Sequence, residues 1–106
     1  MIQNVTKNSV LAKNFSFKEG LGAMKGLLGK NKPETIVFET RFGIHTFFLK
    51  FPIDLIVLDS KKSVKVAKTI KPNRIALWNI KYKTVIELPV NTLIKTGTKI
   101  GDIIAL

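Results

Sequence analysis

Residues 54–59 read Asp-Leu-Ile-Val-Leu-Asp, four consecutive apolar side chains between two carboxylates. Successive side chains of a strand point to opposite faces, so a strand without an interior polar position leaves neither face to water. The run is too short for a core helix and rich in branched residues, and it is read as a strand buried on both faces. A polar turn at residues 60–63 follows, and Val64–Ile70 returns with Lys65 and Lys68 at polar positions. These two segments form the strongest hairpin signal in the chain.

The same two-residue rhythm runs through the sequence from Thr35 on. Residues 35–40 place Ile36 and Phe38 on an apolar face, with Thr35, Val37 and Glu39 on the other. Residues 46–51 are expected to form the next strand after a turn at Gly43, ending at Pro52, which has no N–H to give to a ladder. Residues 74–78 and 84–88 read as further strands joined by a basic connection, and residues 102–106 as the last. Between them, Pro89 and Asn91 open a short helical turn that Gly97 ends. Upstream, residues 2–5 and 10–14 are weaker strand candidates. Ser16-Phe17-Lys18-Glu19 has the spacing of a capping box, in which the Ser hydroxyl and the Glu carboxylate satisfy each other's backbone N–H. A helix is expected to follow, with Leu21, Met24, Leu27 and Leu28 on one face and Gly29 as its end. Its glycines, at 20, 22 and 26, mean that packing must hold it. The expectation is a mainly β single domain over residues 1–106, a small sandwich or barrel-like unit. One flanking α-helix and a short C-terminal helical turn complete it.

Length and composition narrow the chemistry. At 106 residues the chain fits one core. It has no cysteine, which excludes disulfides, iron–sulfur ligation and thiol catalysis, and one histidine, too few for a common structural zinc site. No cofactor is expected. No apolar run reaches the roughly 18 residues of a membrane span, and the first residues lack the pattern of a signal peptide, so a cytoplasmic protein is expected. The net charge is +11, carried by 18 basic against 7 acidic residues. That excess favours polyanions such as nucleic acid or anionic lipid; scattered lysines also keep a β-rich chain soluble and its sheet edges from pairing.

The segment His45-Thr46-Phe47-Phe48-Leu49-Lys50-Phe51-Pro52-Ile53-Asp54-Leu55-Ile56-Val57-Leu58-Asp59 resembles the signature of domain of unknown function family 192. Members often read His-Thr-Phe-x-Met-Arg-Phe-Pro-Ile-Asp-Val-Val-Phe-Leu-Asp. Three further pieces fall in the family's order: Gly26-Leu27-Leu28-Gly29-Lys30, Lys71-Pro72-Asn73-Arg74, and Ile86-Glu87-Leu88-Pro89 followed by Gly97 and Gly101-Asp102. Leu49 stands where Met is usual and Lys50 where Arg is commoner. Lysine lacks the bidentate fork with which arginine grips an anion. Val90-Asn91 stands where the family carries a glycine. The resemblance implies a compact β-sandwich or barrel-like domain with one flanking helix, and no assigned activity; many relatives carry an N-terminal hydrophobic segment that this chain lacks.

Several residues have both a structural and a functional reading. His45 is either an acid, base or anion contact, or a ring bonded to loop backbone. Asp54 either accepts backbone N–H groups where Pro52 breaks the ladder or forms a polar wall with His45, Thr46 and Lys50. Glu87 sits inside an apolar strand with the same ambiguity. The glycine run 20–26 lacks the Gly-Lys-Ser/Thr ending of a phosphate loop. The leading expectation is a non-catalytic domain that binds a small anionic ligand or a protein partner through residues 45–54 and 71–74. Arg41, His45, Thr46, Lys50, Asp54, Lys71 and Arg74 are its candidate contacts. The alternative is a basic nucleic-acid-binding protein using Trp78, Lys81, Tyr82 and Lys83, since Trp78 and Tyr82 are the aromatics expected to be exposed while strand phenylalanines fill the core. A third reading makes the chain an enzyme with His45 as acid or base.

Overall fold

The computed structural model describes residues 1–19 and 32–106. Among them the chain forms, in order, β1 (Ile2–Asn4), β2 (Ser9–Ala12), β3 (Ser16–Phe17), β4 (Ile36–Glu39), β5 (Gly43–His45), β6 (Ile53–Leu58), β7 (Val64–Ile70), β8 (Ile75–Leu77), β9 (Thr84–Pro89), the short helix α1 (Thr92–Thr96) and β10 (Ile104–Ala105). The protein is mainly β. Its central sheet runs β3-β4-β9-β6-β7, flanked by a three-stranded sheet, β10-β1-β2, and by a two-stranded ribbon of β5 and β8. β3 pairs parallel with β4, and the other central neighbours are antiparallel. Its outer strands, β3 and β7, do not pair with each other, so the sheet is open and closes no barrel.

The two faces of this sheet explain the apolar run. Along β6 every residue is buried. Ile53, Leu55 and Val57 share one core with Ile36, Phe38, Ile70, Val85 and Ala76 of the ribbon. Ile56 and Leu58 share the other with Val37, Ile86, Leu88, and with Ile2, Leu11 and Ile104 of the three-stranded sheet. The ribbon thus caps one face and the three-stranded sheet the other. Fully burying such a side chain is worth roughly 1.5–3 kcal/mol, so each outer layer is held mainly by the central strands it covers.

Three local expectations change. Val37, placed on a polar face by the alternation, is 1% exposed, because β10-β1-β2 covers that side. Residues 46–51 are not a strand. The Leu49 N–H turns back to the Thr46 carbonyl (3.2 Å), and Phe48 lies in the left-handed region (φ 67°), which a ladder cannot accommodate. The strand expected there lies earlier, at β5. The capping box does not form either: the Ser16 N–H donates to the Thr35 carbonyl at 3.1 Å, and Ser16 pairs with Ile36. That N–H is therefore unavailable to Glu19. The expected helix beyond it, with its glycines, lies outside the described residues.

The C-terminal helical turn is α1, and Asp54 builds its start. Asn91 precedes the helix in a left-handed conformation (φ 78°) with no side-chain cap. The carboxylate of Asp54 reaches across from β6 instead, accepting the Leu93 N–H at 2.8 Å and the Thr69 hydroxyl at 2.7 Å. Gly97, at φ 69°, closes the other end, its N–H and that of Thr98 returning to Ile94 and Leu93 carbonyls. Asp102, of the Gly101-Asp102 pair, ties the termini together. It accepts bonds from the Asn4 amide (2.9 Å), the Lys7 ammonium (2.9 Å) and the Lys99 N–H (3.0 Å). Burial pushes this carboxyl up, but the bonds from Asn4 and Lys7, the Lys99 N–H and the Lys7 charge outweigh it and hold it below the ordinary range.

Candidate interaction surface

The ribbon is where the sequence-nominated residues divide into inner and outer sets. Opposed residues of an antiparallel pair share a face. Gly43 faces Leu77, Ile44 faces Ala76 and His45 faces Ile75. Ala76 is buried and Ile44 packs beside it against the central sheet, so Gly43, His45, Ile75 and Leu77 form the outward side. Gly43 is required for that pairing. A β-carbon there would collide with the Ala76 carbonyl oxygen and come within 2.8 Å of a Leu77 methyl. The methyl therefore lies across the glycine, and the ribbon presents leucine where β5 has no side chain.

Exposed aromatic side chains flank both ends of β5. Phe42, at φ 77°, precedes it and accepts the Trp78 N–H at 2.8 Å through its carbonyl. Phe47 stacks on the His45 ring with centroids 5.3 Å apart. The Phe48 N–H donates to the Asn73 side-chain oxygen at 3.2 Å, and Asn73 is itself left-handed (φ 63°). Phe48 is 83% exposed, Leu77 72%, Phe42 65% and Ile75 62%. A bulky residue at positive φ is strained by on the order of 1–3 kcal/mol. Here two phenylalanines bear that strain while projecting into solvent.

Arg41, His45, Lys71 and Arg74 are exposed around these side chains. An Arg41 Nη donates to the backbone carbonyl of the exposed Ile80 (2.8 Å). An Arg74 Nη donates to the Asn73 carbonyl (3.3 Å). Thr46 and Asp54 are buried. Thr46 ties the loop after β5 to the turn before β8. Its hydroxyl donates to the Lys71 carbonyl (2.7 Å) and accepts the Arg74 N–H (2.8 Å), while its own N–H reaches the Arg74 carbonyl (2.8 Å). Arg41, His45, Lys71 and Arg74 are thus exposed on the ribbon and its flanking turns, while Thr46 is buried and bonded to the backbone of Lys71 and Arg74. Asp54 stands apart on β6, bonded to Leu93 and Thr69. Lys50 is exposed.

Trp78 and Tyr82, expected to be exposed, are half-buried, whereas Phe42, Phe47 and Phe48 are exposed and Phe38 is in the core as expected. Trp78 and Tyr82 pack against the ribbon-side core, and the indole N–H of Trp78 donates to the Tyr82 carbonyl at 2.8 Å. Lys83 pairs with Glu39 at 3.1 Å, and Lys81 is exposed with its N–H on the Asn79 side chain (2.9 Å). Sequence carried one clue. Adjacent Phe47 and Phe48 cannot both occupy one face of a strand, so both are covered only if the segment is buried on two faces, as β6 is and this segment is not. Nothing in the triplet Ile75-Ala76-Leu77 reveals that its small residue points inward. Glu87, on β9, pairs with Ile36 and Leu55, is 6% exposed, and burial pushes its carboxyl up to about 7. Among the described residues no group of His, Cys, Asp and Glu has the proximity to hold a metal ion, and no helix is long and apolar enough to cross a membrane.

No family profile matches the chain. In overall fold it is similar to a protein of unknown function from Novosphingobium aromaticivorans (TM-score 0.72, 14% identity, covering 88% of this chain and 73% of the other). It is equally similar to a candidate transcription regulator from Sinorhizobium meliloti (TM-score 0.71, 15% identity, 87% and 78%). At such identities the likeness is one of fold alone. A UPF0127 protein of Pyrococcus abyssi is 38% identical over 94 residues, 87% of this chain and 80% of the relative. An identity of that size over nearly the whole length of both proteins settles membership: the chain belongs to the UPF0127 protein family, an uncharacterised conserved family.

Proposed function

We propose that this is a non-catalytic binding domain whose interaction surface is the outer side of the β5–β8 ribbon with its flanking loops. The observation that carries this reading is the exposure of Ile75 and Leu77 on β8 and of Phe42 and Phe48 in the segments that flank β5, the two phenylalanines in strained backbone. Large apolar side chains gathered on a surface and rimmed by polar residues mark places where a protein meets something else. The rim of Arg41, Lys71 and Arg74 and the net charge of +11 give the partner an anionic character. Thr46 and Asn73 hold the two loops in register, so the face is set before a partner arrives. The motif run at residues 45–59 also supports placing the chain with domain of unknown function family 192.

A photoreactive phenylalanine analogue tests the assignment. Placed at Phe48 or Leu77 in cells, it should give discrete crosslinked products. Placed at Ile94, exposed on α1, it should give none of them. Equal crosslinking at all three positions, or none at the ribbon, would remove the surface from consideration.

An enzyme built on His45 has less support. His45 is exposed, its ring is stacked on Phe47, and no nucleophile or carboxylate among the described residues is hydrogen-bonded to it, as a nucleophile–base pair requires.

A further inference from the structure

We infer that the occupant of the ribbon face is an anionic lipid surface, met by Phe48, Phe42, Leu77 and Ile75 while Arg41 and Arg74 reach headgroup phosphates. The inference rests on the reading of this face as the interaction surface and adds what it binds.

Three observations select a bilayer over other anionic partners. First, Phe48 is 83% exposed and Leu77 72%, so neither side chain is enclosed by its neighbours. They project from the ribbon and its turns, the form that enters a soft interface and not one that receives a peptide. Second, half of the side chains that project are aliphatic. Single-stranded nucleic acid is held by stacking bases on flat π-faces; Ile75, Leu77 and Ile80 offer none, yet each transfers favourably into the acyl boundary. The aromatic pair expected to serve a stacking site, Trp78 and Tyr82, is half-buried against the ribbon-side core. Third, the charge is diffuse. Lysines are distributed along the whole sequence and the net charge is +11. A charged plane attracts all basic groups within a screening length of it, whereas a protein partner meets only those in its footprint.

The geometry supplies both elements of peripheral binding. Apolar side chains stand at both ends of β5 and across β8, and cationic side chains flank them at the same two ends. Arg41, next to Phe42 in the chain, bonds the Ile80 carbonyl, and Arg74 bonds the carbonyl of Asn73, whose side chain accepts the Phe48 N–H. The guanidinium groups hold backbone carbonyls in these contacts and keep further N–H donors for phosphate oxygens. The left-handed conformations at Phe42 and Phe48 have a role on this reading: they turn the rings away from a core that would otherwise take them.

Co-sedimentation of the full chain with vesicles tests the inference. Vesicles of phosphatidylcholine containing roughly one-third phosphatidylglycerol should retain the protein, and pure phosphatidylcholine should not. Raising salt from low to several hundred millimolar should weaken binding about ten-fold or more, by screening the charges. Phe48→Ser and Leu77→Ser should each reduce partitioning several-fold, and together about ten-fold or more. Ile94→Ser should leave it unchanged, with circular dichroism and melting temperature confirming that every variant is folded. Binding indifferent to the ribbon substitutions would overturn the inference by showing adsorption of charge alone. No retention on anionic vesicles would overturn it too, and the crosslinking then separates two cases: adducts at Phe48 keep the surface and assign it a protein or nucleic-acid partner, while their absence removes both readings.

Discussion

Glu87→Gln should stabilise this protein at pH 8 and leave its stability at pH 4.5 nearly unchanged. Glu87 lies on β9 between Ile36 and Leu55, with its side chain on the ribbon-side core, and burial pushes its carboxyl from 4.5 to about 7. Below pH 4.5 the group is protonated in both folded and unfolded chains and contributes no pH dependence. Between 4.5 and about 7 the unfolded chain releases its proton while the folded chain retains it. The native state then binds more protons, and stability falls as pH rises. Above about 7 both states are ionised and the full penalty of a buried carboxylate is present. The interval between 4.5 and about 7, at about 1.4 kcal/mol per pH unit, gives a penalty of about 3 kcal/mol. Glutamine keeps the shape and cannot ionise, so the variant should lack this decline. Urea unfolding of both proteins at pH 4.5 and pH 8, followed by Trp78 fluorescence, measures it. Taking the difference between the two proteins cancels every other titrating group, because only position 87 differs. A difference of the same size at both pH values would refute the argument, since a simple packing effect has no reason to follow the charge.

Two further outcomes follow from the same geometry. Asp54→Asn weakens the acceptor for the Leu93 N–H and the Thr69 hydroxyl; it should cost about 1–2 kcal/mol and speed hydrogen exchange at Leu93 more than at β9 amides. Phe48→Gly relieves a positive φ and should raise the melting temperature or leave it unchanged, by up to about 1 kcal/mol of stability, while vesicle binding falls. A loss of stability comparable to a core truncation would mean that the ring is packed and not displayed.

Much of the fold is legible in the residues themselves. The hairpin of β6 and β7, the position of β9 and the helical turn ending at Gly97 all follow from alternation, Pro and Gly. The double burial of the Leu55 to Leu58 run reads directly from its lack of polar positions. Other parts mislead for identifiable reasons. Val37 looks polar-facing because its neighbours Thr35 and Glu39 are polar, and only the distant β10-β1-β2 sheet buries it. Ser16 has capping-box spacing, but β4 offers its N–H a carbonyl first. Residues 46–51 look like a strand because phenylalanine and leucine favour strands, yet Thr46 bonds to a turn twenty-five residues or more downstream.

Sequence by itself determined that this chain would be a β domain with a doubly buried central strand and an excess of positive charge. Those properties depend on alternation and composition, which are local. Tertiary structure alone decided which phenylalanines are covered. Phe38 meets the ribbon-side core, whereas Phe42 and Phe48 meet solvent, and nothing in the type of the residue distinguishes them. The difference lies in backbone sign at two positions and in which small residue, Gly43 or Ala76, lets β5 and β8 close on each other. A ring is buried only where other chain segments arrive to cover it, and that arrival is a property of the whole fold.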